Sequence, residues 1–523
     1  TGTISAQVTG TKGLAGAIVD AAGSLRTITN TNQIGAAFTP TDTAAAVTGQ
    51  AIALDLRANT AGVLVQQNAN ASTSVTPTIV GDVLFGAGAG RLELNAGTMI
   101  GAAAFGGGAD TLSITGGAKL TGAVTDAGGG LAVSIAKGRL TATNVGTVNL
   151  TSLNIGGEGE LLLTIDPAGA KNTFYQAGSV TLADTAKIGL RLTSKLASPT
   201  SFNLVETTNL TARSLDQSLL GTLPWLYKGE LKVISNPNVD VARQTIVAEV
   251  RRRTAAEAGL NGPEAAAFDA VFANFDRDTA VRDALLAKTD QVSFAGLYDQ
   301  FLPDHAGGLF QVFAAANEAA NRGADEDGRV LSKDGLRLWT QEIAFIVQRD
   351  LEGTNGYDAS GFGLAAGLET PDTGLGALGL QTSFVSVDVD QNAASASESL
   401  TATLLSAGVY WRGETGGLTA ALGVNGGYAS MKGKRTIVDT TVGLSKTAQG
   451  EWNGMTVAGH ASLSYKLQAG AFHAKPQISA DYIRFDEDGF TESGGGAAVD
   501  LKIEDRESQQ LGAFAGVALG VAW

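Results

Sequence analysis

The sequence predicts a mainly β chain: a Gly-rich β-solenoid (parallel β-helix), then a short α-helical linker, then a C-terminal antiparallel β-barrel. Three observations predict it. A Gly-rich repeat of about 20 residues runs through the first third of the chain. An Ala-rich stretch with helical spacing follows. Long segments of alternating apolar and polar or small residues then continue to the end.

The solenoid comes first. "GDVLFGAGAGRLELNAGTMI" (Gly81 to Ile100) aligns with "GAAAFGGGADTLSITGGAKL" (Gly101 to Leu120), so that Phe85 matches Phe105, and Leu92 and Leu94 match Leu112 and Ile114. Val133 with Ile135 and Leu153 with Ile155 continue the series. Both residues of each pair point one way, into a narrow core that stacked rungs share. Glycines supply the corners. Residues 1–156 are read as this solenoid. The more aliphatic segments of 157–253, such as "GELLLTIDPAG", "AKIGLRLTS" and "GELKVISN", are read as a cap over the end of the stack.

The linker spans 254–335. "GPEAAAFDAVFANF" places Phe268, Val271 and Phe272 on one helical face, Asp278 caps "DTAVRDALLAK", and Pro303 interrupts "SFAGLYDQFLPDHAGG". Leu309 to Arg322 is a last helical run.

Residues 336–523 carry about eight candidate strands, near 336–350, 357–370, 374–390, 398–413, 417–437, 447–469, 471–487 and 503–523. In "VAGHASLSYKLQAG", Val457, Gly459, Ala461, Leu463, Tyr465 and Leu467 share one face; Ala458, His460, Ser462, Ser464 and Lys466 share the other. Trp339, Ile343, Phe345 and Val347 share a face opposite Thr340 and Glu342. Strands this long suit a transmembrane barrel better than a soluble sandwich. A barrel must close, because an open edge in lipid leaves backbone groups unpaired, and eight strands are enough to close.

Composition narrows the function. The 523 residues suffice for about two to four domains. Net charge is −15, which disfavours nucleic acid as a partner. There is no cysteine, hence no disulfide, thiol catalysis or Cys-ligated metal. No apolar run is long enough for a transmembrane helix. The chain begins at Thr1 without a signal peptide and is expected to be processed or a fragment.

The junction segments "AAEAGLNGPEAAAFDAVF" and "YDQFLPDHAGGLFQVF" resemble the linker before the barrel of a classical autotransporter of the type V secretion pathway. "WTQEIAFIVQRD" and "YDASGFGLAAGLE" resemble that barrel's first two strands. The resemblance implies an outer-membrane barrel in a Gram-negative cell, inserted with the barrel-assembly machinery. It implies a passenger exported unfolded and displayed at the cell surface. It also implies a helix left in the pore (Leu309 to Arg322) and a folding-promoting, autochaperone-like cap at about Gly157 to Val250. The family barrel has twelve strands, so the chain is expected to stop before roughly four more. Trp523, with Val517, Leu519 and Val521, also resembles the terminal signal of such barrels.

No catalytic, cofactor-binding or metal-binding residue is assigned, and no cofactor is expected. The three histidines, His305, His460 and His473, all lie outside the solenoid, which excludes a Ser-His-Asp triad there. Asp82, Glu93, Asp110 and Asp126 are scattered carboxylates without the spacing of a catalytic pair. "FGGGADTLSITGGA" carries one G-x-G-x-D-x-L, but Gly90 stands where a neighbouring rung would need a second acid for calcium. His460 is read as pore-lining; Glu342 and Arg349 are candidates to touch the pore helix. The expected function is therefore export and display of the chain's own solenoid, as stalk or adhesin, toward an unknown extracellular ligand. The alternative is an autotransporter enzyme whose catalytic domain lies upstream of Thr1.

Overall fold

The computed structural model describes residues 2–521 apart from 43–45, 73, 170–173, 237–242, 261, 303–307, 326–329, 332–334, 350–355 and 393–396. The chain forms two compact units: Thr1–Asn261 with Leu285–Phe294, and Gly262–Ala284 with Ala295–Trp523.

The first unit is the solenoid. Short parallel strands stack rung on rung, in the register that the repeat dictates. Leu92 pairs with Leu112, and Leu112 with Val133; Leu94 pairs with Ile114, and Ile114 with Ile135. Val133 and Ile135 then pair with Leu153 and Ile155. All eight of these apolar side chains are buried. Phe85 and Phe105 lie flat on each other, with ring centroids 4.8 Å apart and planes 2° apart. A second, five-stranded parallel sheet faces the first, and Ile52, Leu54 and Val83 are among its buried residues.

The corners are so close that some glycines admit no side chain. A Cβ on Gly106 would stand 1.9 Å from the Gly86 carbonyl oxygen in the rung below, whereas on Gly107 the nearest atom would be 4.0 Å away. Gly106→Ala should therefore cost about 1–2 kcal/mol by forcing the rungs apart, and Gly107→Ala should be nearly silent. Urea midpoints of the two variants, followed by far-UV circular dichroism, test this.

The parallel stack continues through the long strand Val148–Ile165 and through Tyr175–Leu182 and Lys187–Leu192. The direction then changes: Arg243–Arg252 pairs antiparallel with both Thr200–Thr207 and Tyr227–Asn236. This hairpin terminates the parallel ladder. After it, Thr254 and Glu257 form a capping box at helix α1 (Ala255–Ala258), and Gly259, at φ 84°, ends it. Arg253 lies 4.1 Å from the Trp225 ring centroid, and the Trp225 indole donates to the Ala258 carbonyl at 3.0 Å.

The second unit holds helices α2 (Gly262–Asn274) and α5 (Gly308–Asp325) and eight long strands. Between the two helices lie α3 (Thr279–Ala287), whose first N–H groups at Ala280 and Val281 are capped by Asp278, and α4 (Gln291–Tyr298). The strands are β1 (Arg337–Arg349), β2 (Gly356–Glu369), β3 (Ala377–Asn392), β4 (Ser397–Thr415), β5 (Leu418–Asp439), β6 (Leu444–Tyr465), β7 (Phe472–Glu487) and β8 (Arg506–Val521). Each pairs antiparallel with the next. Among the described residues eight long strands are thus present, as the alternation predicts. The sheet is a half-barrel that does not close: among the described residues β8 pairs only with β7, and the outer edge of β1 holds only Val330–Leu331. Both faces of β8 are accordingly accessible, from Leu511 and Val517 on one to Phe514 on the other.

Candidate functional site

The half-barrel has two chemically different faces, set by strand parity. Leu338, Ile346, Phe362, Leu364, Leu380, Leu405, Leu422, Val457 and Ile478 point outward and are exposed. On β5 this apolar band runs from Leu418 to Tyr428. Ten steps of about 3.4 Å, at a tilt of about 40°, make a band roughly 26 Å tall. That matches the apolar belt of an outer-membrane barrel. Trp411 and Tyr465 flank the band on one side, and Tyr428 and Tyr482 on the other. Lys432, Glu451, Arg484 and Asp486 lie beyond the latter.

The inward face cradles α5, which packs against β1 through β7. Its first residue, Gly308, lies against the Tyr357 ring at the start of β2, and Gly323 lies under Trp339 near the start of β1. The helix therefore runs from the end of the sheet that carries the 488–505 loop (the loop end) to the end with the tight Gly416–Gly417 turn (the turn end). There the chain enters β1.

The lumen is apolar toward the loop end. Leu309, Val312, Phe313 and Ala316 meet Val385, Val387, Leu404, Met431 and Phe485. Phe313 stands edge-on to Phe485 at 5.3 Å. Several wall aromatics lie against glycines of adjacent strands: Trp339 against Gly367, Tyr410 against Gly379, and Phe485 against Gly454. This is why the inward faces of these strands are so rich in glycine.

Toward the turn end the lumen is polar. Asn425 donates to Asn317 at 2.9 Å, Gln381 donates to Asn321 at 3.2 Å, and Asn321 donates to Asp481 at 3.2 Å. His460 Nδ1 is 2.7 Å from Asp481 Oδ1. A cavity of about 310 Å³ opens beside them, lined by Glu318, Arg322, Lys475 and Ser479 among others. At the turn end itself Trp339 donates to the Tyr410 hydroxyl at 2.8 Å. That hydroxyl donates to the fully buried Glu369 at 3.3 Å, and Arg337 and Arg412 each approach Glu369 at 3.5 Å.

The loop end is closed by two segments that converge on Arg435, of which 2% is exposed. Its guanidinium pairs with Glu492 at 2.5 Å and donates to the carbonyls of Gln300 at 2.9 Å and Val499 at 2.8 Å. The Gln300 side chain accepts from the Val438 N–H at 2.7 Å. Lys446 pairs with Asp278 at 2.7 Å and holds that carboxyl below the usual carboxylate range. Trp452 stacks on Phe490 at 4.1 Å and donates to Glu487, which also accepts from Arg506.

The sequence-derived candidates fall as follows. His460 lines the lumen, as its parity predicts. Glu342 points outward on β1, away from α5, so it does not touch the helix; Arg349 is on the inward parity at the exposed loop end. His473 is half-buried near the turn end of β7, and His305 lies outside the described residues.

In the solenoid, each candidate carboxylate is engaged in hydrogen bonds within its rung or to the neighbouring one. Asp82 accepts from the Ala102 N–H, Glu93 from Gln66 and Arg91, and Asp126 from the Gly128 and Leu131 N–H groups. Asp110 accepts from the Gly90 N–H at 2.6 Å, which ties its rung to the preceding one. Its other oxygen is buried without a hydrogen-bond partner, and burial pushes the carboxyl above its ordinary range. Among the described residues there is no cluster of three or more His, Asp or Glu side chains able to hold a metal.

Residues 341–523 match the family model of the autotransporter β-domain. Residues 341–523 are an autotransporter β-domain, a C-terminal translocator. The β-domain inserts in the outer membrane, and the segment preceding it is exported. Among solved structures, the translocator domain of the autotransporter NalP from Neisseria meningitidis is similar, at 18% identity. The match covers 40% of this chain and 71% of that one, with a TM-score of 0.32. No curated protein matches. The assignment of residues 341–523 rests on the family match and on the half-barrel with its outward apolar band.

Proposed function

We propose that this chain, as an autotransporter, exports its own solenoid and displays it on the cell surface as a stalk or adhesin. The observation that carries the reading is α5. A single helix threads the inward face from the loop end to the turn end and then becomes β1, so the chain preceding it leaves the translocator on the side of the longest loop. Outer-membrane barrels keep short turns on the periplasmic side and long loops outside. The outward band supports outer-membrane lipid as the surrounding medium, and assembly calls for the barrel-assembly machinery. The solenoid, whose acidic and basic residues balance over 1–156 and whose carboxylates are engaged among its own rungs, is read as a non-catalytic surface for an extracellular ligand; the net charge of −15 on the whole chain disfavours a nucleic acid as that ligand.

Proteinase K applied to intact Gram-negative cells expressing the full-length gene tests this. The solenoid should be digested while a heat-modifiable fragment containing 341–523 remains. A solenoid that is protected until the outer membrane is permeabilised would sink the proposal.

A further inference from the structure

Helix α5 is held differently along its two halves. The first half is held by shape. Leu309, Val312 and Phe313 pack on a wall that stays apolar along each strand, as in Val385–Val387–Val389 on β3 and Leu400–Ala402–Leu404 on β4. Such contacts are non-directional, so neighbouring depths of the helix are nearly equivalent to them.

The second half is held by hydrogen bonds, which lose their strength within a few tenths of an ångström and a few tens of degrees. Asn317 meets Asn425 of β5, and Asn321 meets both Gln381 of β3 and Asp481 of β7. Asn321, Asn425 and Gln381 are 2%, 6% and 9% exposed, so an amide that loses its partner has little water to turn to. The helix sequence adds a further feature. Ala314-Ala315-Ala316-Asn317 is followed by Glu318-Ala319-Ala320-Asn321, a four-residue repeat. Residues four apart stand one above the other on a helix. The two amides therefore recur one turn apart, and the alanines between them offer little to resist sliding.

We propose that Asn317 and Asn321 are positioning residues that set the depth at which α5 comes to rest in the lumen. The inference rests on the reading of this unit as a translocator. A helix that arrives by threading needs a stop that distinguishes one depth from the next. Buried amides meeting three separate strands make that distinction, and the apolar half does not.

The chain lacks cysteine, so nitroxide pairs can be placed in it cleanly. Labels at Arg322→Cys on α5 and Gln348→Cys on β1, both exposed positions, report the depth in the full chain by pulsed dipolar spectroscopy. The otherwise unsubstituted chain should give one narrow distance. Asn317→Ala/Asn321→Ala should broaden it or add a population displaced by about 5 Å, one helical turn. The wall-side pair Gln381→Ala/Asn425→Ala should do the same, and heat-modifiability on gels verifies that each variant has assembled. A role in stability alone would weaken the fold without moving the label. An unchanged single distance in both double variants overturns the proposal. Protease accessibility of the solenoid, recorded on the same cells, separates a failure of the export reading from a failure of the depth reading.

Discussion

Arg435→Ala is expected to release the closure of the loop end and to cost about 3–5 kcal/mol, because it leaves Glu492 as a buried charge without its partner. The arginine is 2% exposed and Glu492 8%. The same guanidinium satisfies the carbonyls of Gln300 and Val499, so one truncation frees both the linker turn and the 492–499 loop. The measurable consequences are a higher ion conductance through reconstituted protein and faster proteolysis within 488–505. Arg435→Met/Glu492→Leu removes both charges and should recover most of the stability, since a buried ion pair is worth little against well-packed apolar groups of similar size. It should not recover the closure, because Gln300 and Val499 still lack their donor. A single variant with unchanged conductance and proteolysis would show that the apolar contacts, such as Trp452 on Phe490, close the end unaided.

The fold was legible wherever a short period is repeated. The solenoid register follows from apolar pairs recurring about every 20 residues, which the pairing of Leu92, Leu112 and Val133 reproduces. The eight strands follow from alternation, and on β6 the parity alone placed His460 inward. On β1 alternation was ambiguous. Ile346 and Leu338 make the outward face as apolar as the face of Trp339 and Ile343, and only the presence of α5 decides which is the lumen. Closure was not legible, since nothing local to a strand records whether its far edge is paired.

The polar hubs escaped for a different reason. Arg435 and Glu492 are 57 residues apart, and Asn321 and Asp481 are 160 apart. No window-based pattern joins them. One signal was available: extending the β5 alternation from Tyr428 through Lys434 puts Arg435 on the inward parity. A charged residue at an inward position of a strand calls for a buried partner. Asp481 stands directly across from His460 in the register and follows from the same reasoning.

Docking of the linker at the loop end should weaken as pH rises from about 4 to 7. Glu264 of α2 and Asp299, in the turn that follows α4, bring their carboxyl groups together. Burial first, then the Glu264 charge and the hydrogen bond between the two, push Asp299 up to about 7 from 3.8. Asp269 and Tyr298 are the other titratable groups in this contact, and the Tyr298 hydroxyl ties the turn to the Glu264 carbonyl at 2.7 Å. Below about pH 4 the carboxyl is protonated whether docked or released, and the contribution is fully present. Between about 4 and 7 the released state has given up a proton that the docked state keeps, so docking loses free energy with each pH unit. The ceiling is about 4 kcal/mol at 1.4 kcal/mol per unit, and solvent around a half-buried pair reduces it to about 2–3 kcal/mol. The Asp278–Lys446 pair works in the opposite sense. Its carboxyl lies below the usual range, so its contribution is present above about pH 4 and is lost only as pH falls further. Together the two contacts place the tightest docking near pH 4. Hydrogen exchange of peptides covering 262–284 and 295–301, corrected for the intrinsic rate at each pH, reads the opening free energy directly. Asp299→Asn should flatten the decline above about pH 4 and leave the acid limb in place. Parallel curves for the two proteins would assign the pH dependence to other groups.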